Sequence, residues 1–230
     1  MTYRRTLLLA CAALCLMAPA AATAATRPWV SGWFGGSTYA MDDVNDDIGD
    51  INTVLQGSGL EMEEVNRGLT YGLAVGLDLG PCFSVGLGYD RLTGQSDVGN
   101  QFFSIEYDLP AYVLRGFGRY SFQSTGKAKG FLEASLGQVK CEGNAMTTVS
   151  VVGPPTSSIE GSDLAFEGAG GFSYWTQPQI AVVGVIGYRY ANVGDVEANG
   201  SRVYNEDGDP YSIDYSGIFV RLGLTLALTP

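Results

Sequence analysis

Eight charged residues stand out because each falls at a position that an alternating strand would turn to a barrel interior: Asp78, Asp90, Arg115, Arg119, Glu133, Glu167, Arg189 and Arg221. Four acids and four bases brought to one dry interior would have to pair, because a buried charge is tolerated only with a partner. Removing one member of such a pair costs about 3–5 kcal/mol. A packed charge network of this kind can plug an interior, or it can line a narrow path for small solutes. Other candidate chemistry is thinner. The frame Asp43-Val44-Asn45-Asp46-Asp47-Ile48-Gly49 offers oxygen ligands at the first, third and fifth positions of a calcium loop. Its glycine falls one position late, however, and position twelve is Val54 rather than Glu. Asn205-Glu206-Asp207-Gly208-Asp209 is similarly incomplete. Both read as solvated acidic loops, with weak divalent binding as the alternative. Gly168-Ala169-Gly170-Gly171 lacks the lysine and the following helix of a phosphate loop. The chain contains no histidine, so a Ser-His-Asp or other histidine-based hydrolytic arrangement is excluded. The sequence shows no metal cluster and no cofactor motif.

What must position the eight charges is a set of strands. From Leu69, every second residue is apolar or aromatic: Leu69, Tyr71, Leu73, Val75, Leu77, Leu79. Between them stand Thr70, Gly72, Ala74, Gly76 and Asp78. After Gly80-Pro81 the alternation resumes with Phe83, Val85, Leu87 and Tyr89 against Ser84, Gly86, Gly88 and Asp90. Period-two alternation with a short Gly-Pro break predicts a hairpin. The second face carries glycine, alanine and short acids rather than long solvated side chains. That suits a crowded barrel interior, with the apolar face turned to lipid.

Taken in order, Trp29–Met41 reads as a first strand and Asp42–Asn66 as a long acidic loop. The hairpin supplies strands two and three, followed by a second loop over Leu92–Gln101. A fourth strand over Phe102–Phe122 carries Pro110, near which the alternation is expected to slip at a bulge, because Ile105, Tyr107 and Leu109 share parity with Arg115 and Arg119. Strand five spans Gly130–Lys140, a third loop Cys141–Ser162, and strand six Asp163–Trp175. Strand seven spans Ile180–Tyr190, a fourth loop Ala191–Tyr211, and strand eight Ser212–Leu228. Long loops thus alternate with short turns, the pattern of short periplasmic turns and long outer loops. Both termini would then lie in the periplasm. Eight strands are expected, or ten if part of the first or third loop pairs. Around the turn at Pro178, Glu167 falls opposite Arg189. Around the turn at Gly126, Glu133 falls opposite Arg119, with Arg115 further along the same face. Two aromatic girdles are expected, an outer one of Tyr39, Tyr89, Tyr107, Tyr188 and Tyr190, and an inner one of Trp29, Phe83, Tyr120, Phe122, Tyr174 and Trp175.

The first residues have the three parts of an export signal: Arg4 and Arg5, the apolar run Thr6–Ala18, and Ala22-Thr23-Ala24 as a cleavage site. Residues 1–24 are therefore expected to be a signal peptide and 25–230 the barrel domain. A lipoprotein signal acylated at Cys11 is the alternative, but only Leu7–Leu9 would precede the cysteine as its apolar core. Removing the signal moves the formal charge from −11 to about −13. An acidic exported chain is a poor partner for nucleic acid, which demands a basic footprint. Beyond the signal no stretch approaches the roughly 18 apolar residues of a spanning helix, so a membrane crossing requires a closed barrel. Cys82 falls at a short turn and Cys141 at the opposite rim, across a band roughly 25 Å tall. A disulfide needs Cα atoms within about 7 Å, so both are expected as free thiols.

Stretches such as GLTYGLAVGLDLG, GFLEASLGQV and YSGIFVRLGLTLAL resemble the OmpA, OmpX and OmpW type of small bacterial outer-membrane β-barrel over Ala25–Pro230. The resemblance implies an all-β, eight-stranded antiparallel up-and-down transmembrane barrel in the outer membrane. It also implies contact with outer-membrane lipid and lipopolysaccharide, and delivery by the barrel-assembly machinery. Members usually end in an aromatic residue that this machinery reads; this chain ends Ala227-Leu228-Thr229-Pro230, which puts that signal in question. A peptidoglycan-binding domain of the OmpA kind is not expected. Barrel enzymes of this type that act on lipid A use a catalytic histidine, so the expectation here is no enzyme. A monomer with a structural or porin-like role follows. The alternatives are a surface interaction protein binding cations, lipopolysaccharide or a ligand through its acidic loops, and a soluble lipocalin-like barrel with an apolar interior.

Overall fold

Eight strands close into one antiparallel ring in a computed structural model that describes residues 26–57, 59–99, 103–122, 126–149, 156–205 and 207–228. The strands, with the short pieces between them, are β1 (Arg27–Thr38), β2 (Arg67–Asp78), β3 (Phe83–Leu92), β4 (Gln95–Gly99), β5 (Phe103–Asp108), β6 (Ala111–Ser121), β7 (Ala128–Val149), β8 (Thr156–Gln177), β9 (Ile180–Tyr190), β10 (Asn192–Val193), β11 (Glu197–Ala198), β12 (Ser201–Arg202), β13 (Ile213–Asp214) and β14 (Gly217–Ala227). The ring runs β1-β2-β3-β6-β7-β8-β9-β14 and closes where β14 pairs with β1, Trp29 opposite Ala227 and Ser37 opposite Phe219. Closure leaves no ring strand with an unpaired edge, the condition for crossing lipid with strands. The expected signal segment lies outside the described residues.

Inside and outside are set by the alternation. Along β14, Ile218, Val220, Leu222, Leu224 and Leu226 are 45–56% exposed, whereas Phe219, Arg221 and Thr225 are at most 5% exposed. Leu69, Leu73 and Val75 on β2 are likewise exposed, while Thr70 and Ala74 are buried. An apolar outside and a polar, small-residue inside suit a barrel solvated by lipid. The soluble lipocalin-like alternative needs the reverse and is overturned. Two glycines let inward tryptophans lie flat on the wall. A Cβ at Gly76 would stand 2.4 Å from the Trp29 ring, and one at Gly72 2.9 Å from the Trp33 ring and 2.2 Å from the Tyr89 carbonyl oxygen.

The long-loop end departs from expectation. The stretch Asp42–Asn66, expected as a solvated loop, contains the helix α1 (Asp42–Leu55). Val44, Ile48 and Leu55 recur at helical spacing and are buried, with Ile51 packed beside them. They join Tyr39, Met41, Met62, Val65, Leu92, Leu109, Val113, Ile213 and Tyr215 in an apolar core that fills the mouth of the ring. The return segment is fastened to the helix by two asparagines. Asn45 Oδ1 accepts from the Val65 N–H at 2.8 Å, and Asn52 Oδ1 from the Met62 N–H at 2.7 Å.

The expected slip at Pro110 does not occur either. Leu92 pairs with Ala111 and Gln95 with Asp108, so three residues are spanned on each side of the break; β7 spans it equally, pairing Cys141 with Ala111 and Asn144 with Asp108. Leu109 therefore keeps the same inward face as Arg115. The inner wall becomes apolar there because it meets the plug rather than the charges. The second and third loops are largely strand: β4 and β5 extend the β3–β6 hairpin, and β7 and β8 each run for 22 residues. At about 3.3 Å per residue such strands reach roughly 70 Å, far beyond a band about 25 Å tall. In the fourth loop β11 pairs with β8, and Asn199-Gly200, both at positive φ, turn the chain into β12.

The aromatic girdles are corrected in four places. Tyr89, Tyr188 and Tyr190 at one end, and Phe83, Tyr120, Phe122 and Tyr174 at the other, are exposed on the outside. Tyr39 is buried in the plug and Tyr107 packs against it, while Trp29 and Trp175 turn into the lumen. Cys82 and Cys141 are both free thiols.

Candidate functional site

Seven of the eight charged positions meet in one layer across the barrel. Glu167 on β8 touches three guanidinium groups: Arg189 at 2.7 Å, Arg221 at 2.8 Å and Arg115 at 3.3 Å. Glu133 on β7 bridges Arg115 at 2.9 Å and Arg119 at 2.7 Å. Asp90 on β3 binds Arg115 at 2.9 Å, lies 3.3 Å from Arg221, and accepts from the Trp33 indole N–H at 2.8 Å. The cross-strand partners expected from the turns are direct neighbours in register, Glu167 with Arg189 and Glu133 with Arg119. All seven follow from one rule: a strand must place the same parity inward along its whole length.

Asp78 does not join this layer. It sits at the end of β2, where its Oδ1 accepts from the Trp29 indole N–H at 3.0 Å and from the Ser84 hydroxyl at 2.7 Å. The physical reason is height: it lies at the short-turn end of its strand, opposite Ser84 and far from Asp90.

The four arginines stand against three carboxylates, and aromatic faces supply the remaining contacts. The Arg221 guanidinium carbon lies 3.9 Å from the Phe219 ring centroid, and that of Arg119 4.2 Å from Phe131. Arg115 lies over Phe117 and Trp33 at 5.3 and 5.6 Å. Cations over ring faces gain most where water is excluded. Sequence reasoning did not single out these rings, although Phe219, Phe131 and Trp33 share parity with inward residues of their strands. A void of about 20 Å³ within the layer has room for about one water.

The plug is bound to the fourth loop by two carboxylates of the incomplete calcium frame. Asp43 Oδ2 accepts from the backbone N–H and hydroxyl of Ser212, both at 2.8 Å, and Asp47 Oδ2 from the Tyr211 hydroxyl at 2.7 Å. The frame Asp43–Gly49 is helical, so it cannot wrap around an ion as a calcium loop must. Burial pushes the Asp47 carboxyl up from its ordinary range against the lowering effect of the Tyr211 bond. Burial and then Asp47 push the Tyr211 hydroxyl up. In the second acidic frame, Asn205 Oδ1 accepts from the Asp209 N–H at 2.9 Å across a tight turn; Glu206 is outside the described residues.

Below the charge layer, at the short-turn end, lies a cavity of about 240 Å³. Arg27, Asp78, Arg119, Lys129, Trp29 and Trp175 are among its walls.

An apolar-outside ring of eight strands with an internal ion-pair layer defines a transmembrane β-barrel. The family model for the outer membrane protein beta-barrel domain matches residues 6–224, and the chain belongs to that family. Among solved structures, Neisserial surface protein A is similar in fold, with a TM-score of 0.52 and 11% identity over 86% of this chain and 96% of that one. Ail, the attachment invasion locus protein of Yersinia pestis, matches with a TM-score of 0.48 and 10% identity, covering 90% of this chain and 100% of its own. The outer membrane protein OprG of Pseudomonas aeruginosa matches at 0.44 and 13%, covering 90% and 97%. No curated protein sequence matches.

Proposed function

We propose that this outer-membrane barrel is a structural, non-enzymatic protein whose lumen is closed, rather than an open pore. The observation that carries this is the layer of Asp90, Arg115, Glu133, Glu167, Arg189 and Arg221, whose side chains are each at most 6% exposed. The apolar plug around α1 stands over it. Eight strands enclose only enough space for side chains or one small ligand, and here the side chains take it. In this reading the short-turn end and both termini face the periplasm. The chain is a monomer delivered by the barrel-assembly machinery, with lipid and lipopolysaccharide around its apolar belt. The missing histidine supports the non-enzymatic assignment.

A planar bilayer holding the refolded barrel tests this. The expected result is no steady ion current above the bare bilayer; reproducible unitary steps would overturn the closed-lumen reading in favour of small-solute passage. A second reading, surface interaction, is favoured by the order of the outer end. β4, β5, the upper halves of β7 and β8, β11 and β12 form a folded sheet there, with an acidic helix beside it. Exchange of residues 42–66 for a neutral linker would abolish ligand or cell-surface binding if that reading holds.

A further inference from the structure

The chain carries 24 acids and only 13 lysines and arginines. Three of those bases, Arg27, Arg119 and Lys129, nevertheless line one cavity at the short-turn end with a single carboxylate, Asp78. That carboxylate is already taken, by the Trp29 indole and the Ser84 hydroxyl. Arg119 is held by Glu133, and Arg27 donates to the Pro178 carbonyl while standing 4.9 Å over the Trp175 ring. Lys129 makes no ion pair with a described residue; half-buried, it shares the inward parity of Phe131 and Glu133 on β7 and is one of the cavity's walls. A recess with low-dielectric walls concentrates such a positive field.

The remaining walls are apolar and hydroxylic: Trp29, Phe131, Trp175 and Val183, with Ser121 and Ser173. The cavity lies at the short-turn end of the lumen, and entry is from that side. At about 240 Å³ the space falls below the roughly 300–1,000 Å³ of drug-sized ligand pockets. The lining faces inward, whereas Leu77, Phe83 and Tyr174 of the same strand ends face lipid. A soluble molecule therefore fits the recess better than a bilayer headgroup.

We infer that this cavity is a binding site for a small organic anion, a carboxylate with a compact flat or aliphatic body, with Lys129 holding the charged group, Arg27 and Arg119 adding to the positive field, and Trp29, Phe131 and Trp175 against the body. Binding here does not require the barrel to conduct, so it stands or falls separately from the closed-lumen reading.

The test is tryptophan fluorescence of the refolded barrel in uncharged detergent, titrated with benzoate. Two of the three tryptophans line the cavity. The expected result is saturable quenching that weakens with added salt. Lys129→Gln should weaken it roughly tenfold, the loss of one charge-assisted hydrogen bond, with heat-modifiable gel migration unchanged. Lys140→Gln, on the exposed outer part of β7, should leave it as in the wild type. Non-saturable quenching, or equal affinity in Lys129→Gln, would overturn the site. Inorganic phosphate displacing benzoate at equal concentration would overturn the role given to the aromatic walls.

Discussion

Replacement of Glu167 by glutamine removes the charge that three arginines share while keeping the side chain's size. The consequences differ among the three. Arg115 retains Asp90 and Glu133, and Arg221 retains Asp90. Arg189, wholly buried, has its one described ion pair with Glu167, and its Nη1 and Nη2 have no hydrogen-bond partner among the described residues. Most of the cost should therefore fall on Arg189. Breaking a buried pair by removing one partner costs about 3–5 kcal/mol, so Glu167→Gln should lose about that much. Equilibrium urea unfolding in lipid, followed by the cold and boiled gel forms, measures it. Arg189→Met alone leaves Glu167 with two arginines and should cost less. The double variant should fall short of the summed losses by at least about 1.5 kcal/mol, since contacting residues couple. A loss below about 1 kcal/mol for Glu167→Gln, or simple additivity, would mean that the layer is hydrated and does not seal the lumen.

Ile48→Asp places a charge in the plug core at a fully buried position. It should expose residues 42–66 to protease and hydrogen exchange, while the ring keeps its heat-modifiable migration. The Asp47 carboxyl is raised, so the folded plug binds its proton more tightly than the unfolded segment does. This contribution is fully present below the unfolded carboxylate value and is lost as pH rises through the folded one. Protection of α1 in hydrogen exchange, corrected for intrinsic rates, should accordingly be greater below the carboxylate range than above it. Tyr211→Phe removes the bond that lowers the Asp47 value and should move the transition to higher pH. Native-state alkylation should label Cys82, which is half-buried at a turn, and spare Cys141, which is fully buried beside Tyr215. Equal labelling of the two would show the plug to be open.

The sequence by itself determined the ring. Leu69–Asp78 and Ile218–Leu226 alternate so strictly that only one face can be lipid-exposed, and the small residues of the other can only be interior. The same parity brought Glu167 against Arg189 and Glu133 against Arg119, because a short turn fixes antiparallel register from local chain alone. What tertiary structure decided lies at the two ends of the lumen. Val44, Ile48, Ile51 and Leu55 have helical spacing, but five aspartates within Asp42–Asp50 mask it. Only a mouth lined by Leu92, Leu109 and Val113 gives that face something to bury against. Ile105 and Leu109 look like a slipped register as long as every inward position is assumed to be polar. They need no slip once the plug turns the upper inner wall apolar. Asp78 has the parity of the charge network and not its height. Height in a barrel depends on strand tilt and stagger around the closed ring, quantities that no single stretch of sequence contains.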